Sequence, residues 1–240
     1  MSTRLACVVF EVTRPGIAAR FWAELLGWLV TVDRSGEVEV AAPDPDGPDL
    51  ALSFLPASGP KAGRNRLHLD LASRSLDHQR LQVDRALALG ARRIDIGQGA
   101  VPWEVLADPE GNEFCVLEPR EQYVDTGAIA AIVVGSPDPG RLARFWSVAS
   151  GWPVALDEAR YTGIRSATGM GPWLEFLHVA DPTAEPGRLH LDLLAFPGAD
   201  PAADVDRLRA AGATPRRRPG SGPPLVLADP DTNEFCLLRS

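Results

Sequence analysis

Short Val- and Ile-rich stretches alternate with segments whose apolar residues recur at i, i+3, i+4 and i+7, the two periods that separate strands from amphipathic helices. Residues 5–12 and 128–134 carry the first pattern. After the later of these, Asp138 stands where an N-cap belongs and Pro139 at the first helical position. Leu142, Phe145, Trp146 and Ala149 then form one apolar stripe, which Gly151 stops. Pro15, Ile17, Phe21, Leu25 and Gly27 repeat that plan. Short strands broken by Pro and Gly are expected over 28–60 and 152–180, followed by a strand at 66–71 or 188–193 and a second helix. One such helix carries Leu76, Val83 and Leu87 before Gly90; the other starts at Asp200-Pro201, carries Val205 and Leu208, and stops at Gly212. Three more short strands close each half. The predicted order is strand, helix, three strands, four times over.

The fourfold order rests on a duplication. Arg66-Leu-His-Leu-Asp-Leu71 returns letter for letter as Arg188-Leu-His-Leu-Asp-Leu193, an offset of 122 (66 to 188). Leu106-Ala-Asp-Pro-Glu-Gly-Asn-Glu-Phe-Cys-Val-Leu117 returns as Leu227-Ala-Asp-Pro-Asp-Thr-Asn-Glu-Phe-Cys-Leu-Leu238, and Arg20-Phe-Trp22 with Gly27-Trp28 returns as Arg144-Phe-Trp146 with Gly151-Trp152. Three blocks in one order at a nearly constant offset divide the chain into 1–119 and 128–240. Residues 120–127 read as a polar linker.

Alternation along a strand puts Arg66, His68 and Asp70 on one face and Leu67, Leu69 and Leu71 on the other. The leucines want a helix over them, so the polar face looks into water, a cleft or a partner. If the strands curl with helices outside, Cys7, Glu11, Arg66, His68, Asp70, Glu113 and Cys115 are candidates for a concave lining. The second copy supplies Arg188, His190, Asp192, Glu234 and Cys236, with Ala131 in the place of Cys7.

Composition narrows the partners. Across 240 residues, 24 basic against 32 acidic side chains give a charge of −8, which argues against nucleic acid. No apolar run approaches the roughly 18 residues of a membrane helix, and the N-terminal stretch lacks the core of a secretory signal. Three cysteines at wide spacing do not suggest a disulfide framework. The expected compartment is the cytoplasm, the expected partner a small molecule, and the expected state a monomer or homodimer.

The FW…GW helix end, the RLHLDL strand and the D-P-x-x-N-E-F-C ending resemble the glyoxalase-like branch of the vicinal oxygen chelate superfamily, which also holds bleomycin-resistance proteins and extradiol dioxygenases. The resemblance implies an α+β fold of four βαβββ modules forming two glyoxalase-like domains, each a cup-shaped, mainly antiparallel sheet with helices outside. Whether each copy makes its own cup or cups are shared stays open. Superfamily enzymes hold a divalent metal in the cup through imidazole and carboxylate. Carried across, those positions fall at Cys7 or Ala131, at His68 or His190, and at Cys115 or Cys236. A 2-His-1-carboxylate set cannot be assembled from them. No cofactor is therefore predicted, and a divalent metal is the alternative, with Cys7, His68, Cys115, Glu175 and His190 as its candidates. Cys7, His68 and Cys115 together would suit a soft ion such as zinc, and Glu175 is the carboxylate to join His190.

The ligand-binding set is Arg66, His68, Asp70, Trp103, Glu113, Cys115, Trp173, Arg188, His190, Asp192 and Cys236; no catalytic residue is assigned. Each has a plainer reading. His and Asp two residues apart form a hydrogen-bonded pair that fixes a sheet, and buried cysteines fill a wall. Trp22, Trp28, Trp146 and Trp152 belong to the core, whereas Trp103 and Trp173 lack an aromatic counterpart in the other copy and either shape unlike pockets or fill gaps. The Asp-Pro turns at 108–109 and 229–230 are turns, and the basic run at 216–218 is a solvated loop. Three functions compete: a protein that binds a small organic molecule, as bleomycin-type resistance proteins do by sequestration; a metal-dependent lyase, isomerase or dioxygenase; and a regulatory or structural module with vestigial cups.

Overall fold

The computed structural model describes residues 2–43, 50–180, 187–216 and 225–239. Four modules repeat strand, helix, three strands. The first holds β1 (Thr3–Val12), α1 (Pro15–Leu26), β2 (Leu29–Arg34), β3 (Glu37–Ala41) and β4 (Ala51–Pro56); the second holds β5 (Leu67–Leu71), α2 (Leu76–Ala88), β6 (Arg92–Arg93), β7 (Glu104–Ala107) and β8 (Glu113–Val116). After a single 3₁₀ turn at Glu121–Tyr123, the third holds β9 (Ile129–Ser136), α3 (Pro139–Ser150), β10 (Val154–Glu158), β11 (Tyr161–Ile164) and β12 (Trp173–His178). The fourth holds β13 (Leu189–Ala195), α4 (Pro201–Ala210), β14 (Thr214–Pro215), β15 (Leu225–Ala228) and β16 (Glu234–Leu238).

Local chemistry sets the helix ends. Asp138 caps α3 by accepting the N–H of Arg141 at 3.0 Å, Pro139 occupies the first turn, and Gly151 closes it at φ 84°, a conformation that costs glycine little. At the matching position α1 has Arg14, which makes no side-chain cap and sends its guanidinium to Glu110 instead. Two expected stripe residues are not buried: Ile17 and Leu76 lie in the first turns of α1 and α2 and face solvent.

The modules combine across the repeat boundary. The first sheet runs β14-β15-β16-β13-β1-β4-β3-β2, and the second runs β10-β11-β12-β9-β5-β8-β7-β6. Each sheet is thus an open cup joining one module from each copy, through the antiparallel seams β1–β13 and β5–β9. Only β1–β4 and β13–β16 in the first sheet, and β5–β8 and β9–β12 in the second, pair in parallel.

The convex faces and four helices share one apolar core. Leu67, Leu69 and Leu71 of β5 and Leu189, Leu191 and Leu193 of β13 are buried in it with Phe114 and Phe235, each side chain contributing about 1.5–3 kcal/mol by leaving water. The repeated motifs meet here. Trp22 of α1 packs on Phe114 at 5.1 Å and donates its indole N–H to Asp108 Oδ2 at 3.2 Å; Trp146 of α3 packs on Phe235 at 5.4 Å and donates to Asp229 Oδ2 at 3.2 Å. Each aspartate also accepts backbone N–H groups of its own turn and the amide of the turn's asparagine. The FW block and the D-P-x-x-N block are therefore one clamp, which ties the two sheets together within each copy.

Candidate functional site

With the leucines clamped on the convex side, His68 and Asp70 face the hollow of the second sheet and His190 and Asp192 that of the first. Strand register then decides what joins them. In the second sheet Val133 of β9 stands between His68 of β5 and Glu175 of β12, and Asp70 stands beside Ala131 on one side and Cys115 of β8 on the other. In the first sheet Val9 stands between His190 and Ser53, and Asp192 stands beside Cys7 and Cys236.

The identical motifs hold their imidazoles differently. His68 places Nε2 3.3 Å from Asp70 Oδ1. Burial draws its pKa down, but hydrogen bonding and charge from Asp70, with Glu113 and Glu175 beyond, outweigh it and raise the pKa. His190 instead places Nδ1 3.0 Å from Asp192 Oδ1. That oxygen also accepts the N–H of Cys236 at 2.8 Å, so it is an acceptor and Nδ1 is the donor. The other ring nitrogen, Nε2, lies 3.9 Å from Glu11 Oε1, too far for a hydrogen bond. A cavity of about 310 Å³ reaches His190, lined on one side by Glu11, Arg66, Arg216 and Glu234 and on the other by Leu189 and Trp146 of the apolar core.

The second cup is filled by the chain itself. Glu175 is 4 % exposed and is met by the hydroxyls of Tyr161 at 2.5 Å and Tyr123 at 3.1 Å, and by the amide of Gln122 at 3.3 Å. Burial, reinforced by the Asp70 charge, pushes its pKa up to about 7 against the pull of the two tyrosine hydrogen bonds. Tyr123 packs with Cys115, Leu117, Ala131, Val133 and Trp173, and Trp103 lies against the same cluster. Arg120 sits 5.4 Å from the Trp103 ring and 5.9 Å from that of Tyr123.

Several sequence expectations change. Cys7 lies in the first sheet and His68 with Cys115 in the second, so these three do not form one soft-metal site. Glu175 likewise shares a cup with His68, not with His190. Both misplacements follow from sheets that pair across copies. Arg66 reaches out of its own sheet to Asp231 O at 2.9 Å and Asn233 Oδ1 at 3.3 Å, and Arg188 ties down the backbone oxygens of Gly59 and Pro60, both at 2.6 Å. Glu113 is engaged by Lys61 Nζ at 2.7 Å. Trp103 donates to Gln98 at 3.0 Å, and Trp173 donates to Gln122 O at 3.3 Å beneath Arg165. Arg216 lines the His190 cavity, while Arg217 and Arg218 lie outside the described residues. Tyr123, Tyr161, Gln122 and Arg120 were missed. Tyr123 is the one ring in a polar linker, and that was their only signal.

A family model for a glyoxalase-like domain matches residues 7–117 and again 131–238. The chain belongs to the glyoxalase-like domain family. Among solved structures, glyoxalase I from Zea mays is similar at a TM-score of 0.69 and 15 % identity, covering 99 % of this chain and 92 % of that one. A putative dioxygenase from Bacillus subtilis subsp. subtilis str. 168 is similar at a TM-score of 0.62 and 16 % identity, covering 99 % and 85 %. At these identities the likeness is one of fold. A search of curated proteins finds no match. Among the described residues, no helix is long and apolar enough to cross a membrane.

Glyoxalase-like proteins commonly use a divalent metal, and one cluster of donors fits an ion. Ligand atoms of His68, Asp70 and Cys115 all lie within 4.8 Å of one another, and the buried Oδ1 of Asp70 has no well-formed hydrogen bond. One imidazole, one carboxylate and one thiol suit a thiophilic ion rather than an oxygen-preferring one. Without an ion, burial and the neighbouring Asp70 push the Cys115 thiol far up, and burial with Asp192 does the same to Cys7. Neither is a nucleophile in that state.

Proposed function

We propose that this protein binds a small organic molecule in its cups, and that the primary site is the cavity beside His190. The observation that carries this reading is His190, oriented by the Asp192 contact on Nδ1, at a cavity of about 310 Å³. That volume is at the lower end of small-ligand sites. A ligand hydroxyl or N–H group is the complement of Nε2; Arg66 and Arg216 supply positive charge and Glu11 and Glu234 negative charge around it. The same Asp–His pair suits a general base, so proton abstraction from a bound ligand extends this reading without changing the site.

The test is a thermal-shift and calorimetric screen with small diols and aromatic antibiotics. A ligand that binds only the folded state raises its melting temperature as concentration grows. His190→Ala is expected to abolish the shift and His68→Ala to leave it. A shift that survives His190→Ala sinks this placement.

The grouping of His68, Asp70 and Cys115 ligand atoms within 4.8 Å favours a second reading, a metal-assisted lyase, isomerase or dioxygenase. His68, Asp70 and Cys115 would hold the ion, which would supply a Lewis acid for a substrate oxygen. Elemental analysis of protein purified without chelator decides it. About one equivalent of tightly held metal, lost in Cys115→Ser, makes this the leading reading; none leaves binding alone.

A further inference from the structure

The second cup contains its own ligand-like group. Trp173 and Tyr123 from the connector share one buried cluster, against which Trp103 packs, and Tyr123 is only 7 % exposed with its hydroxyl on Glu175. The phenol hydroxyl donates to the carboxylate, the ring lies beside the Arg120 guanidinium, and Gln122 adds an amide to the same carboxylate. A hydroxyaromatic ring held among a carboxylate, an arginine and two indoles is what a site for such rings looks like when filled.

The rest of the segment is held in place by a few polar contacts. Thr126 Oγ1 donates to Tyr123 O at 2.8 Å, Trp173 donates to Gln122 O at 3.3 Å, and Arg165 and the N–H of Gly171 each reach Asp125 O at 3.0 Å. Its outer side is open. A groove of about 980 Å³ runs behind it, lined by Trp28, Leu81 and Arg85 on one wall and by Arg120, Tyr123 and Val124 of the segment itself. In the first cup the position matching Glu175 is Ser53, so the two cups are not built alike at this point.

We propose that Arg120–Thr126 is a built-in occupant of the second cup, and that the cup's external ligand is a phenol that replaces Tyr123 on Glu175. This is independent of the His190 reading, because the two sites lie in different sheets.

The probe is 4-methylphenol, the tyrosine side chain as a free molecule, with toluene as its hydroxyl-free control. In the wild-type protein, hydrogen exchange of the amides at 120–126 is expected to quicken at millimolar 4-methylphenol and to stay unchanged with toluene. Unchanged protection with both compounds overturns the proposal, as does equal quickening with both. In Tyr123→Ala, calorimetry is expected to show 4-methylphenol binding at least tenfold more tightly than in wild type, with the gain lost in Tyr123→Ala/Glu175→Gln. Equal affinity in the single variant and wild type, or a gain that persists in the double variant, counts against it. If Tyr123→Ala does not fold, Tyr123→Phe keeps the ring and removes the hydroxyl, and tighter 4-methylphenol binding than wild type is again the expected result. His190→Ala leaves all of these outcomes in place, so the two sites fail or succeed separately.

Discussion

Trp22 and Asp108 show how a single pair carries a motif. The indole N–H and the carboxylate are both buried, and removing the donor leaves Asp108 Oδ2 with only the Asn112 amide at 3.0 Å. Trp22→Phe is expected to cost about 1–3 kcal/mol from one lost hydrogen bond to a buried carboxylate, read as a lower urea midpoint at unchanged slope. Glu175 makes a prediction of a different kind. Its carboxyl is pushed from 4.5 to about 7 by burial and then by Asp70, against the tyrosine hydrogen bonds. The folded state thus holds this proton more tightly than the unfolded chain does. The stability it contributes is fully present below about pH 4.5 and lost as pH rises through about 7. Glu175→Gln does not titrate, so its unfolding free energy relative to wild type should climb between pH 5 and pH 8, by an amount on the order of 3 kcal/mol at most, read by urea denaturation at each pH. A difference that stays flat over that range would mean the carboxylate is ionised throughout. Sequence showed which residues face a hollow, because alternation along RLHLDL is a local rule. It did not show that the two imidazoles bind their aspartates through different nitrogens, since the six letters are the same and the ring orientation is set by neighbours on other strands.

Helices were legible element by element because their signals are local. Asp138, Pro139 and Gly151 bound α3 where the caps predict, and Asp200-Pro201 opens α4. Asp138→Ala is expected to cost about 1 kcal/mol through loss of its cap. Arg14→Ala, at the matching position of α1, removes no cap and loses instead a half-exposed guanidinium's contacts with the buried Glu110 carboxylate and with Pro109 O, so its cost should fall with added salt. Parallel chemical denaturation of the two variants, with and without added salt, checks the contrast. Strand partners were not legible. β1 meets β13, and β9 meets β5, over long stretches of chain, and nothing in the alternation of either strand names its neighbour. The connector defeated the reading for another reason. Arg120, Glu121, Gln122 and Asp125 make it polar, and one tyrosine has no period, so burial of that ring shows only once β12 has placed Glu175 opposite.

At the scale of the whole molecule, sequence unit and sheet unit do not coincide. The family model matches 7–117 and again 131–238, yet each sheet takes one module from each repeat, and the Trp–Asp clamps link a copy's two modules. Cutting the chain in the connector should therefore leave each half with an intact clamp and two open seams, β1 and β5 in one, β9 and β13 in the other. Such exposed inner strands seek partners. Because β13 resembles β5 and β9 resembles β1, the simplest closed solution for the first half alone is a two-fold homodimer with β1 of one chain on β5 of the next. Expressed apart, residues 1–126 are expected to run as a dimer in light scattering. Mixed with residues 127–240 from the denatured state, they should also give a one-to-one complex whose near-ultraviolet circular dichroism matches the intact chain. A stable, folded monomer of either half would show that the seams are not what completes the sheets, and would return each cup to a single copy.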